Sequence, residues 1–267
     1  MRTSKSSWAV RCAVVVGLIA CGGSSRPGAS APAAPASVAP PQPEPGAGMA
    51  KQTTEEKPQP DVPPSGSSLD RIMQAHFQDA LLIRQAVIAG SPEDAVAPAH
   101  VLTHIQDLDQ LPDGWRVFVE RMQAVAGRIQ DSTTSSLAAA ATADLGVSCG
   151  TCHQRHGGPK ASVEAAPAAG SGIESRMARH VWATERLWEG LIVPSNDAWA
   201  AGAQALNLAP FPSEVLNHGG VYARSAADDF TKLAARAPSK KTPEQRAALY
   251  AELLVTCGTC HRAMKHD

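Results

Sequence analysis

Two pentapeptides in this chain carry the residue types and spacing of a defined chemistry: Cys149-Gly150-Thr151-Cys152-His153 and Cys257-Gly258-Thr259-Cys260-His261. Cys-x-x-Cys-His is the attachment pattern of haem c. Two thiols three positions apart reach both porphyrin vinyl groups and close thioether bonds. The adjacent imidazole then falls under the iron as its proximal ligand. The expected cofactors are two covalently bound haem c groups. One would be held by Cys149, Cys152 and His153, the other by Cys257, Cys260 and His261. Two other chemistries use paired cysteines. Structural zinc sites usually bring their CxxC pairs close in sequence. Here about a hundred residues separate the pairs, and a histidine follows each. A thioredoxin-type dithiol needs a βαβ setting and normally lies at a helix start, whereas these motifs read as helix ends.

The elements that must position the motifs repeat along the chain. Ile72-Met73-Gln74-Ala75-His76-Phe77 matches Arg176-Met177-Ala178-Arg179-His180-Val181 in pattern, 104 positions later. Leu145-Gly146-Val147-Ser148 before the first motif echoes Leu253-Leu254-Val255-Thr256 before the second, 108 positions later. Such self-similarity reads as a tandem duplication. The expected organisation is a haem domain over 67–160, a linker over 161–171 and a second haem domain over 172–267. Each copy shows four helical stretches and no convincing strand alternation. In the first copy they run about 68–89, 92–107, 112–130 and 135–155, with Pro92 opening the second and Pro98 a source of kinking inside it. In the second copy they run about 172–192, 196–206, 213–236 and 243–265. The fold class is therefore all-α, two tandem four-helix bundles, each with CxxCH near the end of its fourth helix.

The first helix has the clearest face. Met73, His76/Phe77, Ala80, Ile83 and Val87 follow one helical stripe, and Met177, His180/Val181, Thr184, Leu187 and Leu191 repeat it. In an up-down-up-down bundle the first turns of helix one lie beside the last turns of helix four. That arrangement is expected to bring His76 opposite His153, and His180 opposite His261, as distal iron ligands; the plainer alternative for each is a hydrogen-bonded core histidine. Met73 and Met177 recur one turn earlier and are the alternative ligands; methionine would raise the potential relative to a second histidine. Iron bound by neither residue would be five-coordinate, which suits a ligand binder rather than a carrier.

Other residues carry weaker signals. His100 and His104 are spaced to share a metal, but they have no counterpart in the second copy and read as surface residues. His156, His218 and His266 are also unpaired between copies and receive no role. Trp115, Trp182, Trp188 and Trp199 read as core or haem packing. Arg155 and Arg262 follow the proximal histidines, where they either face propionates or, more simply, are solvated helix-end charges.

The N-terminus reads as an export signal. Arg2, Lys5 and Arg11 precede a short apolar stretch, Ala13–Ala20, too short to span a bilayer. Leu18-Ile19-Ala20-Cys21 has the form of a bacterial lipobox. Residues 1–20 are thus expected to be a lipoprotein signal peptide, with Cys21 lipidated. An ordinary signal peptide cut nearby, or a core helix, is the alternative. Residues 21–66 continue as an Ala/Pro-rich disordered tether. Gly22 after Cys21 points to the outer membrane by similarity to Gram-negative lipoproteins. Extracytoplasmic location also suits haem attachment, because exported dithiols otherwise tend to oxidise. With Cys12 in the leader, no thiol is left for a disulfide. The formal net charge of −1 implies no nucleic-acid partner.

A four-helix unit with CxxCH close to its C-terminus resembles the class II c-type cytochromes, of the cytochrome c′/c-556 kind. The resemblance covers about 67–160 and again 172–267, and it rests on helix count, motif position and the candidate ligand in helix one. It implies Cys149, Cys152, His153, Cys257, Cys260 and His261 as the haem residues. The histidine in helix one, the duplication and the lipid anchor depart from the class and favour electron transfer over gas binding. The expected function is that of a dihaem carrier, not an enzyme, passing single electrons between redox partner proteins outside the cytoplasm. A haem-based binder or sensor of nitric oxide or carbon monoxide, or a dihaem peroxidase, is the alternative if an iron is five-coordinate.

Overall fold

The computed structural model describes residues 68–105, 111–161, 164–168, 170–208, 211, 216–217 and 219–265. The expectations for the signal peptide, Cys21 and the tether fall outside these residues, as do His218 and His266. The described residues are all-α: eight α-helices and no strand among them. They are α1 Ser68–Ala89, α2 Val96–Thr103, α3 Arg116–Gln130, α4 Ser135–His156, α5 Ile173–Ile192, α6 Asn196–Asn207, α7 Gly220–Arg236 and α8 Pro243–Lys265. They belong to one compact unit, and no described helix is long and apolar enough to cross a membrane.

Local chemistry sets the boundaries. Thr134 caps α4, its side chain accepting from the Leu137 amide at 3.2 Å, and Ser195 caps α6 from the Ala198 amide at 3.1 Å. Gly90 at φ 78° ends α1, and Gly157 at φ 77° ends α4, both in the left-handed region that favours glycine. The second stretch of the first copy differs from its expected form. A 3-10 turn over Pro92–Ala95 precedes α2, so Pro98 is the third residue of a new helix. There its missing N–H breaks no intrahelical bond. Similarly α3 starts at Arg116 rather than near Pro112, because Gly114 at φ 80° makes a turn first.

The packing links the halves. Arg262, in the last turn of α8, donates to Ser135 Oγ at 2.9 Å at the start of α4, and to the Gly90 carbonyl at 3.4 Å at the end of α1. The motif helices α4 and α8 therefore lie antiparallel. Their close approach uses small residues: Ala138, Ala139, Ala141 and Ala143 of α4 are buried, as are Leu249, Tyr250, Leu253 and Leu254 of α8. The end of α5 packs on the motif turn of α4. A side chain on Gly150 would strike the Leu191 carbonyl, and one on Gly146 would meet the Trp188 ring. The end of α1 treats α8 the same way, since a side chain on Gly258 would come 2.7 Å from the Val87 carbonyl. Each copy's first helix thus ends against the motif of the other copy. A second repeated feature is the ion pair from the third helix to the fourth: Arg128 to Asp144 at 2.8 Å, and Arg236 to Glu252 at 2.9 Å. Both pairs are about half exposed and contribute little to stability.

Candidate functional site

Cys149, Cys152 and His153 stand at i, i+3 and i+4 of α4, so the helix places all three on one stripe. The intervening Thr151 turns back to its own helix, its hydroxyl donating to the Val147 carbonyl at 2.8 Å. Thr259 does the same to Val255 at 2.9 Å in α8. All four motif cysteines are free thiols and partly buried.

The motif histidines are oriented from outside their own half. His153 Nδ1 lies 2.5 Å from the Ile192 carbonyl at the end of α5. A carbonyl only accepts, so Nδ1 carries a hydrogen. His261 is hydrogen-bonded to the backbone of Ile88 at the end of α1. Ile88 and Ile192 are 104 positions apart, the offset of the repeat itself. A backbone carbonyl on the second ring nitrogen is the arrangement by which proteins fix a metal-ligating histidine in the right tautomer. Burial lowers the His261 pKa, the Ile88 bond opposes that, and nearby Lys265 lowers it further. The ring is therefore neutral and able to ligate at neutral pH.

The expected distal residues fare differently. A cavity beside the first motif is lined by Met73 and His76 of α1, by Cys149, Cys152 and His153, and by Trp188 and Ile192 of α5. Phe77, Leu102, Trp115, Phe118, Val119, Met122 and Leu145 make the rest of its wall almost wholly apolar. His76 and His153 thus share one cavity, as does the alternative ligand Met73. His76 Nδ1 is buried without a hydrogen-bond partner among the described residues, and so is Ser148 Oγ in the same wall. Burial alone lowers the His76 pKa. The cavity measures about 80 Å³, less than a tetrapyrrole needs. Met73, Phe77 and Met122 are only half-buried, and their outward rotation would open it.

His180 is 5 % exposed and packs among aromatics, stacked on Phe230 with ring centroids 4.6 Å apart and edge-on to Phe211 at 4.5 Å. Met177 is half-buried one turn earlier. The structure therefore brings His76 to its motif. The pairing of His180 with His261 rests on the repeat.

The thiols favour one use of the cysteines over another. Burial, reinforced by Cys152, pushes the Cys149 thiol up to about 12 despite a backbone hydrogen bond. Burial pushes Cys257 up to about 11. Dithiol redox catalysts need the opposite, a depressed thiol at a helix N-terminus, whereas these thiols sit toward the C-terminal ends of α4 and α8. A shared zinc site would need the four sulfurs around one ion, and among the described residues no three His, Cys, Asp or Glu side chains converge to hold a metal. Two neutral thiols facing an apolar cavity, with an imidazole held Nε2-outward beside them, do fit covalent haem. The residues that would hold it are Cys149, Cys152 and His153, and by the repeat Cys257, Cys260 and His261.

The remaining sequence candidates find ordinary places. Trp115 and Trp188 line the cavity. Trp199 is core, its indole donating to the Ala237 carbonyl at 3.0 Å. Trp182 is half-buried, with the Arg186 guanidinium 5.8 Å from its ring centre. Arg262 ties three helices together instead of ending in solvent. His100 and His104 are exposed with ring centroids 3.9 Å apart, and both are occupied by hydrogen bonds with Gln130 and Thr103. His156 packs against Trp115 and Phe118 of the cavity wall. Sequence reasoning missed the role of the Ile88 and Ile192 carbonyls. The signal was there, since the same 104-residue offset that pairs His76 with His180 also pairs these two isoleucines.

The chain matches no family model, no curated protein and no solved structure.

Proposed function

We propose that this chain is a dihaem c-type cytochrome of the class II kind, two duplicated four-helix units over 67–160 and 172–267, carrying single electrons between redox partner proteins outside the cytoplasm. Cys21 would anchor it by lipid, with the outer membrane the favoured site. The observation that carries the reading is the duplicated CxxCH whose histidine is hydrogen-bonded to the backbone of the other copy, His153 through Nδ1 to the Ile192 carbonyl and His261 to Ile88. Bound haem would supply one-electron chemistry at iron. The chain's own part is orientation and exclusion. Ile192 and Ile88 hold the proximal rings, Cys149/Cys152 and Cys257/Cys260 supply the thioethers, and the apolar wall keeps water from the first iron. His76, neutral and unpartnered within that wall, fits the sixth position there.

A second reading has its own observation. If His180 keeps its place against Phe211 and Phe230 and Met177 does not bind either, the second iron would be five-coordinate. That site would then suit a gas binder or a peroxidase.

One preparation tests both. Natively matured, exported protein should gain the mass of two haems, and Cys149→Ala/Cys152→Ala should remove one. No added mass overturns the haem reading. Low-spin optical bands in both redox states support the carrier, and His76→Ala should then turn one haem high-spin. A spectrum that is half high-spin before any substitution, with rapid carbon monoxide uptake, supports the second reading.

A further inference from the structure

One buried charge distinguishes the two motif sites. Arg84 of α1 stands 104 positions before Trp188 of α5, so the two occupy equivalent places in the repeat. Trp188 reaches across from the second half to line the first motif's cavity. Arg84, 4 % exposed, reaches across from the first half toward the second motif. Its Nε donates to Tyr250 Oη of α8 at 2.6 Å, and its Nη2 to Thr184 Oγ1 of α5 at 3.1 Å. Both partners are uncharged, and among the described residues no carboxylate forms an ion pair with it. Tyr250 lies two helical turns before Cys257 on α8 and is fully buried. The guanidinium's field reaches that cysteine. Burial pushes the Cys257 thiol up, and Arg84 is the charge that draws it back. No cation acts on Cys149 in this way.

A guanidinium that is 4 % exposed, with only neutral hydrogen-bond partners, carries a desolvation cost that those bonds offset in part. We propose that Arg84 makes the two haem sites unequal, holding the second iron at the more positive reduction potential, so that an electron entering the folded unit comes to rest at the Cys257–His261 site. The proposal rests on the dihaem reading. Its physics is charge against charge: ferric haem carries one more positive charge than ferrous haem. A fixed guanidinium nearby therefore disfavours the oxidised form, and a buried setting lengthens its reach. Trp188, neutral, exerts no such bias at the first site. The internal step is a one-electron exchange. The first iron passes from ferrous to ferric and the second from ferric to ferrous, with no bond made and no proton moved.

The test is an equilibrium redox titration of the full-length, haem-loaded protein, followed by its optical bands. Wild type should show two separate one-electron transitions, and Cys257→Ala/Cys260→Ala should delete the upper one. Arg84→Met should move the upper transition down toward the lower, which holds still, while Arg84→Lys should preserve the separation. Arg84→Gln, which keeps a hydrogen-bond donor, serves if Arg84→Met does not load haem. Coincident transitions in wild type overturn the proposal. So does loss of the lower transition in Cys257→Ala/Cys260→Ala, or a shift confined to the lower transition in Arg84→Met. Failure of the dihaem reading is recognised separately, by a protein without tetrapyrrole mass.

Discussion

The first motif faces an apolar cavity whose wall His76, Met73 and Trp188 share with His153. Toward the second motif α8 takes part instead in a buried polar trio, Arg84, Tyr250 and Thr184, and the counterpart of His76 in the repeat, His180, is packed against two phenylalanines. Beneath these linings the framework is the same. Each motif histidine takes a carbonyl from the far copy, each motif glycine admits that copy's helix end, and each third helix pairs an arginine with the fourth. The backbone geometry that would present cysteines and histidine has stayed equivalent, while the side chains that would tune an iron have diverged. An internal repeat can differ in this way, because contacts made by backbone atoms do not depend on the identity of the side chains around them.

The most damaging change to that shared framework is to cut the chain between the copies, within 161–171. Neither copy would then hold its own motif histidine, since the Ile192 carbonyl is lost to His153 and the Ile88 carbonyl to His261. Each copy produced alone should lose most of its helical circular dichroism or pair with itself, and mixing the two should restore the fold. A single copy that stays monomeric and fully helical would break the comparison. A smaller effect is expected from one methyl group. Gly150→Ala and Gly258→Ala both push a Cβ against a backbone carbonyl, which cannot rotate away. Each should destabilise the fold by about 1–3 kcal/mol in urea denaturation. The clash is tighter at Gly150, so the first motif should suffer more. Equal and negligible losses would show that the helix ends are not tightly seated.

The smallest effect is a pH dependence of the haem-free chain. Burial lowers the folded pKa of both His76 and His261 below the ordinary histidine value of about 6.5. The unfolded chain therefore binds protons first as pH falls, and stability must decline below that value. The urea midpoint should drop between pH 7 and pH 5. His76→Ala should remove the first site's share of the slope and leave that of His261. A midpoint independent of pH would mean that these rings titrate as they do in water.

Much of this architecture is legible in the residues. Helix periodicity locates α1, α4, α5 and α8 to within a residue or two, because their apolar stripes are long and their ends carry glycine, serine or proline. The same stripes place His76 and His153 at one cavity. Two things are not legible. The first is which copy's helix one ends against which motif. An amphipathic stripe tells a helix to bury one face, but an internal repeat offers two equivalent partners, and only tertiary packing chooses. The second is Arg84. In sequence it is one more arginine on an amphipathic helix, and its burial follows only once α1 crosses to α8 and meets Tyr250 and Thr184.

The crossing of helix ends carries a timing asymmetry. A chain delivered from its N-terminus presents Cys149-x-x-Cys152-His153 while Ile192 is still some forty residues behind. The first imidazole therefore waits unclamped. When His261 emerges, Ile88 has long preceded it, and the second imidazole can be seized at once. Two motifs of identical sequence would in this way meet whatever modifies them in different states, one loose and one already gripped.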